Sequence, residues 1–264
     1  MIASAPGAPV EVPPAVREIA GGRPIRAVWR NELGGLTFRV GADSRALFVK
    51  WSPVELPLGP EVERLRWSAS HAAVPRVLDR GADEAGEWMV TAGLPGLSAV
   101  DDRWLADPGT AVRAIGSGLR ALHEALPVPD CPFDWSVERR LASARERSAE
   151  PIGPAERPPG LEHVTSVREA LRVLADIPPA DRVVVCHGDA CAPNTLIGDD
   201  GRCVGHVDLG SLGVADRWAD LAVATWATRW NYGPGWEESL LDAYGVDPDP
   251  DRTAYYRLLW AVSD

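Results

Sequence analysis

Residues 183–210 read VVVCHGDACAPNTLIGDDGRCVGHVDLG, and their order decides what kind of chain this is. Val183 to Val185, with the small hydrophobe Cys186 behind them, predict a buried strand that runs to His187. Asp189 to Asn194 follow as a loop, Asn194 to Ile197 as a short strand, Gly198 to Gly201 as a tight turn, and Val204 to Val207 as the returning strand. A hairpin of this length brings Asp208 back beside Asn194. One carboxylate, Asp189, is then placed to orient an attacking hydroxyl, while the amide oxygen of Asn194 and the carboxylate of Asp208 are hard donors suited to a divalent cation. Such a set is what phosphoryl transfer needs. Taken singly, Asp189 and Asp208 read equally well as turn-forming residues.

Outward from this stretch the chain changes character. Ala27 to Trp29, Leu36 to Val40 and Ala46 to Trp51 are short β-branched and aromatic runs, separated by Gly and Asp turns. A helix is predicted over Glu61–His71, with Val62, Leu65 and Ala69 at helical spacing. Strands follow at Arg76 to Leu78 and Glu87 to Thr91. Thr91 to Gly96, reading TAGLPG, is punctuated by Gly and Pro and predicts a hinge. Beyond it helical periodicity dominates, with helices expected over 111–126, 133–150, 162–175, 216–230, 235–244 and 251–262. The expected fold class is therefore α+β: a small β-rich N-lobe over 26–91, the hinge at 92–96, a larger mainly helical C-lobe over 97–264, and residues 1–25 as an N-terminal extension. Gly116 and Gly118 fall inside an apolar helix, which predicts close packing and not a phosphate loop.

Composition narrows the function. With 264 residues and 45% hydrophobic content the chain can bury a real core. Its formal net charge of −11 is opposite to what nucleic acid or an anionic membrane recruits, and favours a cationic small molecule. No run approaches the roughly 20 apolar residues that span a bilayer, so the expected location is the cytoplasm. Cys131, Cys186, Cys191 and Cys203 form no C-x-x-C pair, which argues for reduced thiols over a zinc site built from cysteines with His187 and His206.

HGDACAPN and VDLG resemble the catalytic loop and metal-binding segment of the aminoglycoside phosphotransferase family, antibiotic kinases with the protein-kinase fold. The likeness is strongest to the aminoglycoside 3'-phosphotransferases. LFVKW at 47–51, EVERLRW at 61–67, VPRVLDRG at 74–81, LHEALPVPDCPF at 122–133 and GVADRWADLA at 213–222 extend it over nearly the whole chain after about Arg26. This resemblance implies a two-lobed kinase fold with ATP, or GTP, between the lobes and Mg2+ at Asn194 and Asp208. It makes Asp189 the catalytic carboxylate and Lys50 the contact to the α and β phosphates. Glu61 becomes the lysine's partner, with Glu63 as the nearby alternative. Phe48 stacks on adenine, and the backbone of Ala92 and Leu94 holds the base. The loop at 31–38, NELGGLTF, lacks a full G-x-G-x-x-G, yet Gly34 and Gly35 are expected to let its N–H groups cover the phosphates. His187 is expected to order the catalytic loop and not to act as a base.

The acceptor side departs from the family. Aminoglycoside kinases commonly end in an acidic LLDE-type segment, whereas this chain ends in LLWAVSD, with Trp260 and Ala261 at those positions. Trp230 and Asn231 stand where further acids are expected, and Ser211 replaces a common arginine. Asp264 restores some negative charge. The expected acceptor is an aminoglycoside or related amino sugar bound near Trp230, Asn231, Trp260 and Asp264, by a monomer or weak homodimer. Two alternatives stay open: a kinase of a less cationic small molecule with a Trp-lined pocket, and a non-catalytic nucleotide-binding protein on the same fold. Trp226, Trp230, Trp236 and Trp260 read equally well as packing residues.

Overall fold

Short runs of β-branched and aromatic residues joined by glycine turns build the first part of the molecule as a sheet. The computed structural model describes residues 9–31, 33–43 and 45–263, and the chain divides into two units, residues 1–95 and 96–264. In the first unit α1 (Pro14–Ala20) starts at a proline and stops at Gly21, which takes a left-handed conformation with φ 55°. β1 (Ile25–Arg30), β2 (Leu36–Val40) and β3 (Leu47–Ser52) follow, then α2 (Gly59–Ser68), β4 (Val77–Ala82) and β5 (Glu87–Ala92). The strands form one antiparallel sheet in the order β1-β2-β3-β5-β4. Phe38, Val40, Val49 and Val90 point to one face, and α1 covers them with Val16 and Ala20. Burying a side chain such as Phe38 contributes about 1.5–3 kcal/mol.

The second unit is mainly helical. β6 (Leu97–Ser98), α3 (Asp102–Leu105), α4 (Pro108–Ala125), α5 (Val137–Glu146) and α6 (Val167–Val173) precede β7 (Val183–Cys186), β8 (Thr195–Ile197), β9 (Cys203–His206) and β10 (Gly213–Asp216). α7 (Trp218–Tyr232), α8 (Glu237–Tyr244) and α9 (Pro250–Ser263) complete it. β8 and β9 form the expected hairpin, with β6 on its outer edge. α4 packs closely on its neighbours where its glycines lie. A Cβ on Gly116 would sit 2.4 Å from the Leu240 carbonyl oxygen, and one on Gly118 would sit 2.6 Å from Cys203 Sγ.

Several boundaries differ from expectation, each for a local reason. The helix expected over 133–150 begins only at Val137, because Ser136 caps it and Phe133 to Trp135 pair with Val214. The helix expected over 162–175 begins at Val167, capped by Ser166, since Thr165 is drawn off to Ile152. Gly213–Asp216, expected in part as the start of a helix, instead pairs with Val183–Cys186 as a strand. Tertiary pairing overrides local helical pattern in all three.

Candidate active site

The catalytic-loop stretch leaves β7 at Cys186 and turns sharply at Gly188, where φ is +88° and a Cβ would lie 2.2 Å from the Ser211 carbonyl oxygen. Only glycine fits there. Asp189 comes next, half-buried, and its Oδ2 accepts from Asn194 Nδ2 at 3.1 Å; the same amide donates to the Asp189 carbonyl at 3.0 Å. Oδ1 of Asp189 is buried without a nitrogen or oxygen donor among the described residues. Burial pushes this carboxyl above the ordinary aspartate range, Asp208 adds to the rise, and the Cys191 thiol, His187 and Asn194 oppose it. A carboxylate desolvated in this way is a better proton acceptor than one in water.

Asn194 and Asp208 come together through the β8–β9 hairpin. The Val207 N–H donates to the Asn194 carbonyl at 3.0 Å. Asp208 is the one described non-glycine residue with positive φ, 62°, a conformation that aspartate tolerates better than most residues. His187 bridges the loop to the hairpin: its Nε2 meets the Val207 carbonyl at 2.9 Å, and its Nδ1 meets the Asp189 N–H at 3.3 Å. It orders the loop, as expected. Because Asn194 turns its amide nitrogen toward Asp189, its oxygen faces away; that oxygen and the Asp208 carboxylate are hard donors and fit Mg2+.

Beneath the loop lies a residue to which the sequence assigned no role. Asp220, on α7, is fully buried. Its Oδ1 accepts the Gly188 N–H at 2.9 Å, and its Oδ2 accepts the His187 N–H at 2.6 Å and meets His123 Nε2 at 2.9 Å. His123 Nδ1 in turn meets the Tyr244 hydroxyl at 2.8 Å. Desolvation alone would raise the Asp220 pKa, but the hydrogen bond and charge of His123 outweigh it and hold the carboxyl below its usual range. The signal was present in ADLAVAT, where a lone acid inside an apolar helix is costly unless every lone pair is used. Asp220, His123 and Cys186 place potential ligand atoms within 4.8 Å of one another. Asp220 and His123 are already committed to hydrogen bonds, and the Cys186 thiol donates to the Asp216 carbonyl at 3.3 Å, so the group reads as structural.

In the first unit, Lys50 Nζ and Glu61 Oε2 are 2.7 Å apart, joining β3 to the first turn of α2. The Glu61 side chain is 9% exposed, whereas Glu63 is exposed. Phe48 lies two residues before Lys50 on β3, with its ring beside Gly93, where a Cβ would approach it to 2.9 Å. The Ala92 N–H donates to the Arg76 carbonyl at 3.0 Å, so this amide is taken up within the first unit. In the glycine loop the amides are satisfied locally. Leu33 N–H and Gly35 N–H both donate to Asn31 Oδ1, at 3.1 and 2.6 Å, and Gly34 N–H donates to the Asn31 carbonyl at 3.4 Å. The amides expected to meet phosphate are taken up by the loop itself.

On the acceptor side, Trp230 and Trp260 have ring centroids 5.9 Å apart, and both pack on Trp226, at 4.7 and 5.9 Å. Trp226 is core, at 2% exposure, while Trp230 and Trp260 are half-buried. Asn231 Nδ2 donates back to the Ala227 carbonyl at 2.8 Å. Asp264 lies outside the described residues. The end of α7 is tied to the catalytic region: Tyr232 donates to the Ala99 carbonyl at 2.7 Å, and Ala99 N–H donates to the Thr195 carbonyl at 2.9 Å.

A partly desolvated carboxylate beside hard oxygen donors, and a lysine steadied by a glutamate, are the means of a phosphotransferase with an alcohol acceptor. The chain belongs to the phosphotransferase enzyme family, whose pattern it matches over residues 25–256. It is 37% identical to an aminoglycoside 3'-phosphotransferase of Streptomyces fradiae, covering 76% of this chain and 78% of that protein. It is 36% identical to a streptomycin 3''-kinase of Streptomyces griseus, covering 87% and 89%. Among solved structures, aminoglycoside phosphotransferase APH(3'')-Id from Streptomyces rimosus superposes with a TM-score of 0.77 at 30% identity, covering 94% of this chain and 96% of that one. That protein has also been solved in complex with ADP and streptomycin. The fold is the mixed α+β fold of these kinases.

Proposed function

We propose that the protein transfers the γ-phosphoryl group of ATP to a hydroxyl of an aminoglycoside or related amino sugar, in the 3' manner, and so inactivates it as an antibiotic. The observation that carries this reading is Asp189, a half-buried carboxylate fixed on one oxygen by Asn194, whose other oxygen is buried without a nitrogen or oxygen donor among the described residues. The acceptor hydroxyl hydrogen-bonds to Asp189, its oxygen forms the new bond to the γ-phosphorus, the bond to the β-phosphate oxygen breaks, and the proton passes to Asp189 as ADP leaves. Lys50, steadied by Glu61, meets the α and β phosphates, while Phe48, the Ala92 carbonyl and the Leu94 N–H receive the base. Asn194 and Asp208 would hold Mg2+, which supplies charge neutralisation on the phosphate oxygens when bound. His187 and Asp220 keep the loop in register and touch no reacting atom.

The test is phosphorylation of a panel of aminoglycosides by purified protein with ATP or GTP and Mg2+, read by product mass. Nucleotide consumption that depends on the acceptor, and disappears in Asp189→Asn, is the expected result. Consumption indifferent to the acceptor overturns the reading. A cytoplasmic monomer or weak homodimer is part of this proposal, and sedimentation velocity checks the oligomeric state.

A second reading has its own observation. Trp230 and Trp260 both pack on Trp226, and the half-buried guanidinium of Arg257 lies 5.9 Å from that Trp226 ring and donates to the Ala222 carbonyl. An aromatic wall backed by a cation suits a sugar ring with few ammonium groups. Poor turnover of the most highly charged aminoglycosides beside efficient turnover of less charged ones favours this reading; the reverse order excludes it.

A further inference from the structure

The loop between β1 and β2 holds an unexpected occupant. Its position follows from register: Leu36 pairs with Trp51 and Thr37 with Lys50, so Asn31 and residues 33–35 stand at the Trp51 end of the sheet, beyond the pair that Lys50 makes with Thr37. Lys50 is itself anchored by Glu61. Inside the turn, two amides that are not adjacent in sequence, Leu33 and Gly35, aim at a single oxygen, Asn31 Oδ1. Convergent N–H groups are the form in which a loop receives an anion. The backbone is shaped for it, with Gly34 at φ +93°. The Asn31 carboxamide fills the hollow, because a Cβ on Gly35 would lie 2.6 Å from Asn31 Nδ2.

We infer that Asn31 is a built-in stand-in for a nucleotide phosphate oxygen, which keeps the loop in its receiving shape and yields the Leu33 and Gly35 amides to the nucleotide. The inference rests on the phosphotransferase reading above. Chemistry gives the exchange its direction: a phosphate oxygen is charged and makes a stronger bond to N–H than a neutral carboxamide does. It also explains why the residue is neutral. An aspartate here would make the same two bonds while repelling the phosphates. Asn31 touches neither acceptor nor reacting atoms and is a positioning residue.

The experiment titrates wild type, Asn31→Asp and Asn31→Ala with ATP and with adenosine by calorimetry, alongside thermal unfolding of each. Asn31→Asp is expected to lose at least about tenfold in ATP affinity, through like-charge repulsion, with adenosine binding and the unfolding midpoint unchanged. Asn31→Ala is expected to lose less than Asn31→Asp, because the nucleotide brings its own acceptor for the freed amides. In amide NMR spectra, the Leu33 and Gly35 signals are expected to move with ATP and stay with adenosine. A loss in Asn31→Ala equal to or greater than that in Asn31→Asp overturns the inference, as does an Asn31→Asp loss shared equally by adenosine. Wild type that binds no ATP defeats the phosphotransferase reading itself, which distinguishes that failure from the failure of Asn31's role.

Discussion

The two units carry their polar groups in different ways. In the second unit the catalytic loop is held from below by a buried network: Asp220 takes two backbone N–H groups and His123, and His187 spans to the hairpin. In the first unit the corresponding groups are satisfied locally, Lys50 by Glu61 and the glycine loop by Asn31. Buried networks are costly to disturb because each lost partner leaves a desolvated group, while local turns near solvent re-form at little cost. The difference suits the proposed chemistry, in which acid–base alignment tolerates little displacement and phosphate binding requires groups that change partners.

Substitutions in the two units should therefore separate in what they damage. The largest effect is expected at Asp189→Asn, a fall in kcat of about 10²–10⁴-fold with nucleotide affinity retained; single-turnover kinetics beside ATP titration checks it. Asp220→Asn comes next. It puts an N–H2 group against donors already aimed at a carboxylate and should cost about 3–5 kcal/mol of stability, as breaking a buried charged pair does, read by denaturant unfolding. The same residue sets an acid limb. Because its folded pKa is depressed, its contribution is present above the unfolded aspartate value of about 3.9 and is lost as pH falls through the lower folded value. In Asp220→Asn the stability–pH curve should flatten in that window.

Lys50→Ala should spare the fold more than Asp220→Asn does and raise the KM for ATP about tenfold or more, the worth of one charge-assisted hydrogen bond. A larger effect on kcat than on KM would break the contrast between the units. Phe48→Ala should have the smallest effect, a KM increase of about two- to tenfold from lost stacking, with acceptor KM unchanged. If Phe48→Ala instead moved the acceptor KM, its assignment to the base would fail.

Much of this was legible in residue order. HGDACAPN and VDLG place Asp189, Asn194 and Asp208 on a strand, loop and hairpin whose geometry follows from a short turn, and the hairpin forms as Thr195–Ile197 and Cys203–His206. The pairing of Lys50 with Glu61 was legible only through the family resemblance, because a strand lysine and a helix glutamate read by themselves as ordinary surface charges; the structure joins them at 2.7 Å. Strand β10 was not legible, because GVAD has no strong strand signal and pairs only where β7 offers an edge. Nor was the role of Asn31, whose neighbours Gly34 and Gly35 read as open to a ligand until the side chain was seen to fill the hollow.

The sequence by itself determined the kind of reaction, because the types and spacing of its acid, amide and lysine groups limit the chemistry they can perform. Only the tertiary structure decided which groups are already spent. Asp220 and His123 lie 97 residues apart, and neither periodicity nor composition can say that a buried acid and a distant imidazole meet beneath a catalytic loop. Whether an N–H faces a ligand or its own side chain is likewise a matter of ångströms, fixed by packing and by the cost of leaving any buried polar group unpaired.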